Sequence, residues 1–227
     1  MRINKYLRDH NFASRREADE LISRGLVKIN GRIARLGEEV SEKDKIVVND
    51  GKKFKDNKYF AYYKPRDIIT HSPQGGEKSI GEVGGFSKEF FPVGRLDKDS
   101  HGLIVITNDG RVTRKLLDPA ENHEKEYMVK VDKDLTEGFL KKMTLGVKLE
   151  DFTTKKCAVK KIGPKVFKII LTEGKKHQIR RMCAALGYTT LDLKRVRIGS
   201  IKINDLNPGQ KRELAGSELA NFLKALW

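Results

Sequence analysis

One stretch limits what this chain can fold into more than any other: Asn49–Lys58 is polar, charged and almost free of aliphatic residues. Patterned apolar residues stop before it and resume at Tyr59. A single core cannot run through such a segment, which reads as a linker or an extended hairpin. The chain is therefore expected to build two domains, one over 1–50 and one over 59–227, with a linker at 51–58. At 227 residues it has enough material for one ordinary domain plus a small one.

In the first segment Ile3, Tyr6 and Leu7 recur at helical spacing. Ser14-Arg15-Arg16-Glu17 is a capping box, in which Ser14 accepts from the third helical amide while Glu17 reaches back. Ala18, Leu21 and Ile22 continue the apolar stripe, and Gly25 suits the position just past a helix end. Val27–Ile29 predicts a short strand, Asn30-Gly31 a type I′ turn and Ile46–Val48 another strand. Arg15 and Arg16 occupy the first turn of a helix, where the dipole disfavours cations. They are either solvated or placed for a phosphate docking at the free amides.

From Tyr59 onward, strand-like runs cover Tyr59–Tyr63, Leu103–Thr107, Glu126–Val131, Cys157–Ile162 and Val166–Leu171. Helical patterns cover Arg111–Leu117, Thr136–Leu145, Lys176–Leu186 and Glu218–Leu226. This order predicts an α+β domain with a mostly antiparallel mixed sheet flanked by helices.

The formal charge is +16. Residues 155–202 hold fourteen Lys or Arg against Glu173 and Asp192, so this stretch carries most of the excess. Such concentration points to a polyanionic partner, with a solvated basic face as the bland alternative. No apolar run reaches a membrane-spanning length, and Met1–Lys5 lacks the apolar core of a signal peptide. A soluble cytoplasmic protein with no membrane partner is expected. Cys157 and Cys183 have neither metal-knuckle nor redox spacing, and the five histidines do not cluster, so no metal is expected.

The leading candidate for chemistry is Asp97, within Gly94-Arg95-Leu96-Asp97-Lys98-Asp99-Ser100-His101-Gly102. Glycines at both ends allow a sharp turn, and Arg95 and Lys98 flank the acid, where they would keep it ionised. Spacing alone favours a surface turn with local ion pairs. The motif content goes further. Gly94-Arg95-Leu96-Asp97 with Ser100-x-Gly102-Leu103 resembles a signature of the RsuA family of ribosomal-RNA pseudouridine synthases. The resemblance extends over nearly the whole chain. Asn4–Leu7, Ser14–Ala18 and Val27–Gly31 are similar to an S4 domain. Lys64-Pro65, Glu124–Tyr127, Gly174–Met182, Leu193–Gly199 and Gly209-x-x-Arg212-x-Leu214 follow in the family's order. His123–Tyr127 and Thr154–Cys157 resemble most the large-subunit synthase F branch. Tyr63 departs from the Asn usual before Lys64-Pro65, which bears on local packing and not on the reaction.

The resemblance implies isomerisation of uridine to pseudouridine in 23S rRNA, presented as a stem-loop, by a monomeric enzyme that uses no cofactor. The same reaction on 16S rRNA, or a non-catalytic S4-type assembly factor, are the alternatives. It implies Asp97 as the essential carboxylate, Arg180 as its paired cation and Tyr127 as the residue stacking on the base. Arg95, Leu96, Lys98, His177, Gln178 and Ile179, with Arg15 and Arg16 of the first domain, are the expected RNA contacts. The target base must leave its stack to reach such a carboxylate.

Overall fold

The structure is a computed structural model describing residues 1–10, 12–49, 57–71 and 73–227. Through residue 56, the linker expected at 51–58 lies outside the described residues. The chain divides into two compact units, Met1–Lys58 with Asp109–Arg114 and Tyr59–Asn108 with Lys115–Trp227.

The first unit opens with helices α1 (Ile3–Asp9) and α2 (Arg15–Ser23), followed by strands β1 (Val27–Ile29), β2 (Arg32–Ile33) and β3 (Ile46–Val48). The capping box forms: the Glu17 amide donates to Ser14 Oγ, and the Ser14 amide donates to Glu17 Oε2 at 2.9 Å. At the other end of α2, Gly25 takes φ +70°. Its amide reaches the Ile22 carbonyl and the Leu26 amide reaches that of Leu21, the paired closure that a glycine past the helix end permits. Asn30 and Gly31 both have positive φ and join β1 to β2. Ile3, Leu7, Ala18, Ile22, Val27 and Ile29 form the core of this unit.

From Tyr59 on, the elements are β4 (Tyr59–Lys64), α3 (Ile80–Val83), β5 (Phe91–Val93), β6 (His101–Thr107), α4 (Gly110–Leu117), β7 (Lys125–Val131), α5 (Glu137–Leu145), β8 (Ala158–Gly163), β9 (Val166–Leu171), α6 (Gln178–Ala185), β10 (Thr190–Ile198), β11 (Ile201–Lys202), β12 (Lys211–Glu213) and α7 (Gly216–Lys224). Among the described residues these strands make one sheet, ordered β12-β4-β6-β10-β7-β9-β8, with β5 on β6 and β11 on β10. Every described pairing is antiparallel except β6 with β10. The α+β class with a mostly antiparallel mixed sheet is the architecture expected. Phe139 and Met143 of α5 and Ile179, Met182 and Cys183 of α6 bury against Val129, Val131, Phe167, Ile169 and Leu193 of the sheet.

Two departures from the sequence pattern matter. Helix α6 begins at Gln178 and not at Lys176, because His177 is left-handed at φ +51°. The nine-residue strand β10 lies mid-sheet, yet apolar alternation does not reveal it, since Asp192, Lys194, Arg195 and Arg197 interrupt the pattern. Only the family motif over Leu193–Gly199 marks a strand there.

The β6–β10 junction is tight. Gly102 lies opposite Arg195 at φ +108°, and a Cβ there would sit 2.3 Å from the Arg195 carbonyl oxygen. Both the backbone conformation and the space demand glycine. Gly102→Ala is expected to lower the unfolding free energy by on the order of 3 kcal/mol, from strain and overpacking together. Urea unfolding followed by far-UV circular dichroism checks this; an unchanged midpoint would show that the junction opens without cost.

Candidate active site

Asp97 sits half-buried on the turn between β5 and β6. Gly94 at φ +81° starts the turn and Gly102 ends it. The backbone between them is held carbonyl by carbonyl. Arg195 Nη1 donates to the Arg95 carbonyl at 3.3 Å. Thr70 Oγ1 donates to the Leu96 carbonyl at 2.8 Å and accepts from the Leu96 amide at 3.0 Å. The Ser100 amide closes on the Asp97 carbonyl, and the Asp67 amide reaches that of Lys98. Arg180 Nη2 reaches the Asp99 carbonyl at 3.4 Å.

Lys64, fully buried at the end of β4, anchors the same turn. Its Nζ donates to the carbonyls of Pro65 (2.7 Å), Ile68 (2.6 Å) and Lys98 (3.3 Å). Burial pushes its ammonium down to about 8, against the pull of nearby acids such as Asp67 and Asp97.

The expected partners of Asp97 are arranged differently. Lys98 forms an ion pair with Glu77 at 3.0 Å, and Arg95 is exposed. Arg180 does not pair with Asp97: it donates to the carbonyls of Thr190 and Asp99 and to Ser100 Oγ, so it braces the turn's backbone. His177 Nε2, expected to face RNA, lies 3.5 Å from Asp97 Oδ1. Leu96, Gln178 and Ile179 are buried, so in this structure they offer RNA no surface and instead support the site. Gln178 spends its amide within the basic loop, donating to Glu173 at 2.6 Å and accepting from the Lys175 amide.

Tyr127 lies on β7 opposite Arg195, partly exposed at the edge of the core made by Val129 and Val131. Its strand therefore neighbours the one that clamps the turn. In the other unit, Arg15 and Arg16 are exposed in the first turn of α2.

A neighbouring network escaped sequence reasoning. His101 makes hydrogen bonds with Tyr63 Oη (2.8 Å) and Asp192 Oδ1 (2.7 Å), and Arg66 pairs with Asp192. Burial pushes the His101 imidazole below its usual range, outweighing Asp192. Tyr63 stacks on His101, which accounts for a large aromatic where the family usually has Asn. The signal available was Tyr63 itself. Both cysteines are free thiols, with burial pushing each up to about 11. No cluster of metal-ligating side chains occurs among the described residues.

Comparison with known proteins adds the following. The RNA pseudouridylate synthase family profile matches residues 58–185, and the S4 domain profile matches residues 1–46. The dual-specificity RNA pseudouridine synthase RluF of Escherichia coli (strain K12) is 40% identical over 230 residues, covering 100% of this chain and 79% of that protein. The ribosomal large subunit pseudouridine synthase B of Bacillus subtilis (strain 168) is 33% identical over 235 residues, covering 99% and 96%. A crystal structure of a pseudouridylate synthase superposes with a TM-score of 0.72 at 27% identity, covering 97% of this chain and 99% of that one.

The Thr70 hydroxyl is the most replaceable brace of the turn, because valine has its shape without its hydrogen bonds. Thr70→Val leaves the Leu96 amide and carbonyl unsatisfied in a buried place and is expected to cost about 2 kcal/mol. Unfolding free energies, with amide NMR shifts for residues 95–99, measure the effect. Loss of stability without movement of those amides would show that Thr70 does not shape the turn.

Proposed function

Because the chain belongs to the S4-bearing RsuA family of RNA pseudouridine synthases, we propose that it isomerises uridine to pseudouridine in 23S rRNA, with Asp97 as the essential carboxylate. The observation that carries this reading is the braced turn, which holds one half-exposed carboxylate at a fixed place beside a basic loop.

The reaction breaks the bond from ribose C1′ to N1, turns the uracil and joins C5 to C1′. C5 gives up its proton and N1 gains one, so the product is an isomer and no oxidant or reductant takes part. Asp97 acts at the ribose, as nucleophile or as base. A rigid backbone keeps it within reach of C1′–C2′, the kind of positioning that lowers a barrier without new bonds. Tyr127 supplies an aromatic face for the displaced base. Arg180 fixes the turn through the Asp99 carbonyl and Ser100.

Substrate is held by charge. Arg95 and Lys98 flank the carboxylate at exposed positions, and Arg15 and Arg16 offer a second, separate contact on the S4-type unit. The +16 net charge suits an RNA partner, and no described helix is long and apolar enough to cross a membrane. We place the reaction in the bacterial cytoplasm, on a stem-loop, with the chain working as a monomer. A purely RNA-binding role is less economical, since binding alone does not call for Asp97, Tyr127 and Arg180 together.

Tritium release from 5-tritiated uridine in 23S, 16S and transfer RNA tests the proposal. The 23S transcript is expected to react, and Asp97→Asn to lose activity at least 1000-fold, on the order of what removal of an essential group costs, while filter binding stays within about 3-fold. Substantial turnover by Asp97→Asn would remove Asp97 from its role. Arg15→Ala with Arg16→Ala is expected to weaken binding and reduce the salt slope by roughly one unit per arginine, without altering the rate at saturating RNA.

A further inference from the structure

We infer that His177 is the positioning residue for Asp97, an assignment that rests on the proposed function. His177 stands where an L-residue has reason not to be. Its backbone is left-handed, at φ +51° and ψ 27°, a conformation that favours Gly or Asn. The surrounding loop imposes it. The Gln178 side chain bridges the Lys175 amide and Glu173, and the Gln178 amide bonds the Lys175 carbonyl. The Arg181 amide then takes the His177 carbonyl as α6 begins.

Such a residue persists where its side chain is needed in the direction the strain gives it. Here that direction is the carboxylate. His177 Nε2 is 3.5 Å from Asp97 Oδ1, with 49% and 39% of the two side chains exposed. Arg180, Lys98 and Arg181 are spent elsewhere, on the turn's carbonyls, on Glu77 and on Asp151. Among the described residues, His177 is therefore the basic side chain that meets the carboxylate directly. The separation is long for a hydrogen bond, and such contacts shorten when substrate excludes water. By holding one carboxylate oxygen, the imidazole fixes the Asp97 rotamer and leaves the second oxygen for the ribose.

The loop backbone makes the test clean. His177→Gly removes the imidazole and suits the positive φ, so folding should be unimpaired or improved. Its single-turnover rate at saturating RNA should fall on the order of 10-fold to 100-fold, with RNA affinity within about 3-fold. His177→Gln keeps a donor near the Nε2 position and should recover much of that rate. A normal rate for His177→Gly at saturation, with weakened binding, would make His177 an RNA contact only and overturn the inference. An independent arm uses RNA-free protein: the imidazole nitrogen NMR signals of His177 should move on Asp97→Asn, and their failure to move would also overturn it. If wild-type protein converts none of the three RNAs, the proposed function falls, and the NMR arm still decides the pairing.

Discussion

Arg195 lies on β10 with 4% of its surface exposed, and its guanidinium donates to the Leu103 carbonyl at 2.7 Å and the Arg95 carbonyl at 3.3 Å. Burying a cation is costly unless its hydrogen bonds are met. Here the cost is offset in part by carbonyl dipoles of β6 and of the turn that precedes it, while Nη2 is left without a hydrogen-bond partner among the described residues. A lysine could not span both, because only the planar fork presents donors in two directions from one rigid group. The same residue faces Gly102 on β6 and Tyr127 on β7. Three segments far apart in sequence thus meet at one side chain, and the glycine requirement at position 102 follows from how closely they meet.

That junction explains why a turn, usually the mobile part of a fold, can serve as a platform. Five successive carbonyls, from Arg95 to Asp99, each receive a donor. The donors come from β4, from the segment after it, from α6, from β10 and from the turn itself. The backbone has little freedom left, whereas the side chains of Arg95, Asp97 and Lys98 remain at least partly exposed. Rigid main chain with accessible side chains is the combination that pre-organised chemistry requires.

Local signals carried much of this into the sequence. The Ser14–Glu17 capping box, the Asn30-Gly31 turn and the apolar stripe of α6 act within a few residues, and each is realised in the structure. The sharp turn that carries Asp97 was legible through the glycines at its two ends. What remained hidden was set by contacts across long separations. Strand β10 carries charges because it clamps the turn, so its alternation fails where its function lies. The Arg180 side chain was expected at Asp97, but carbonyls of Thr190 and Asp99 compete for the same fork. Nothing near His177 in sequence announces its left-handed backbone, which depends on Gln178 folding back on Glu173 and Lys175.

The basic stretch 155–202 also changes meaning once its contacts are known. Arg195 is buried, Arg180 braces the turn, and Arg197 pairs with Glu124 and Glu126. Lys168 pairs with Glu126, Arg181 with Asp151, and Lys161 and Lys165 donate to the carbonyls of Leu135 and Asp132. These seven cations are not equivalent. Exposed pairs such as Arg181 with Asp151 are worth little and can exchange a carboxylate for a phosphate. Arg195 cannot be lent to RNA without freeing the turn. Counterion release counts only the charges that reach phosphate, so the number of cations in the stretch overstates the electrostatic footprint. Part of the positive excess holds the turn that carries Asp97, and only the remainder is available to a polyanion.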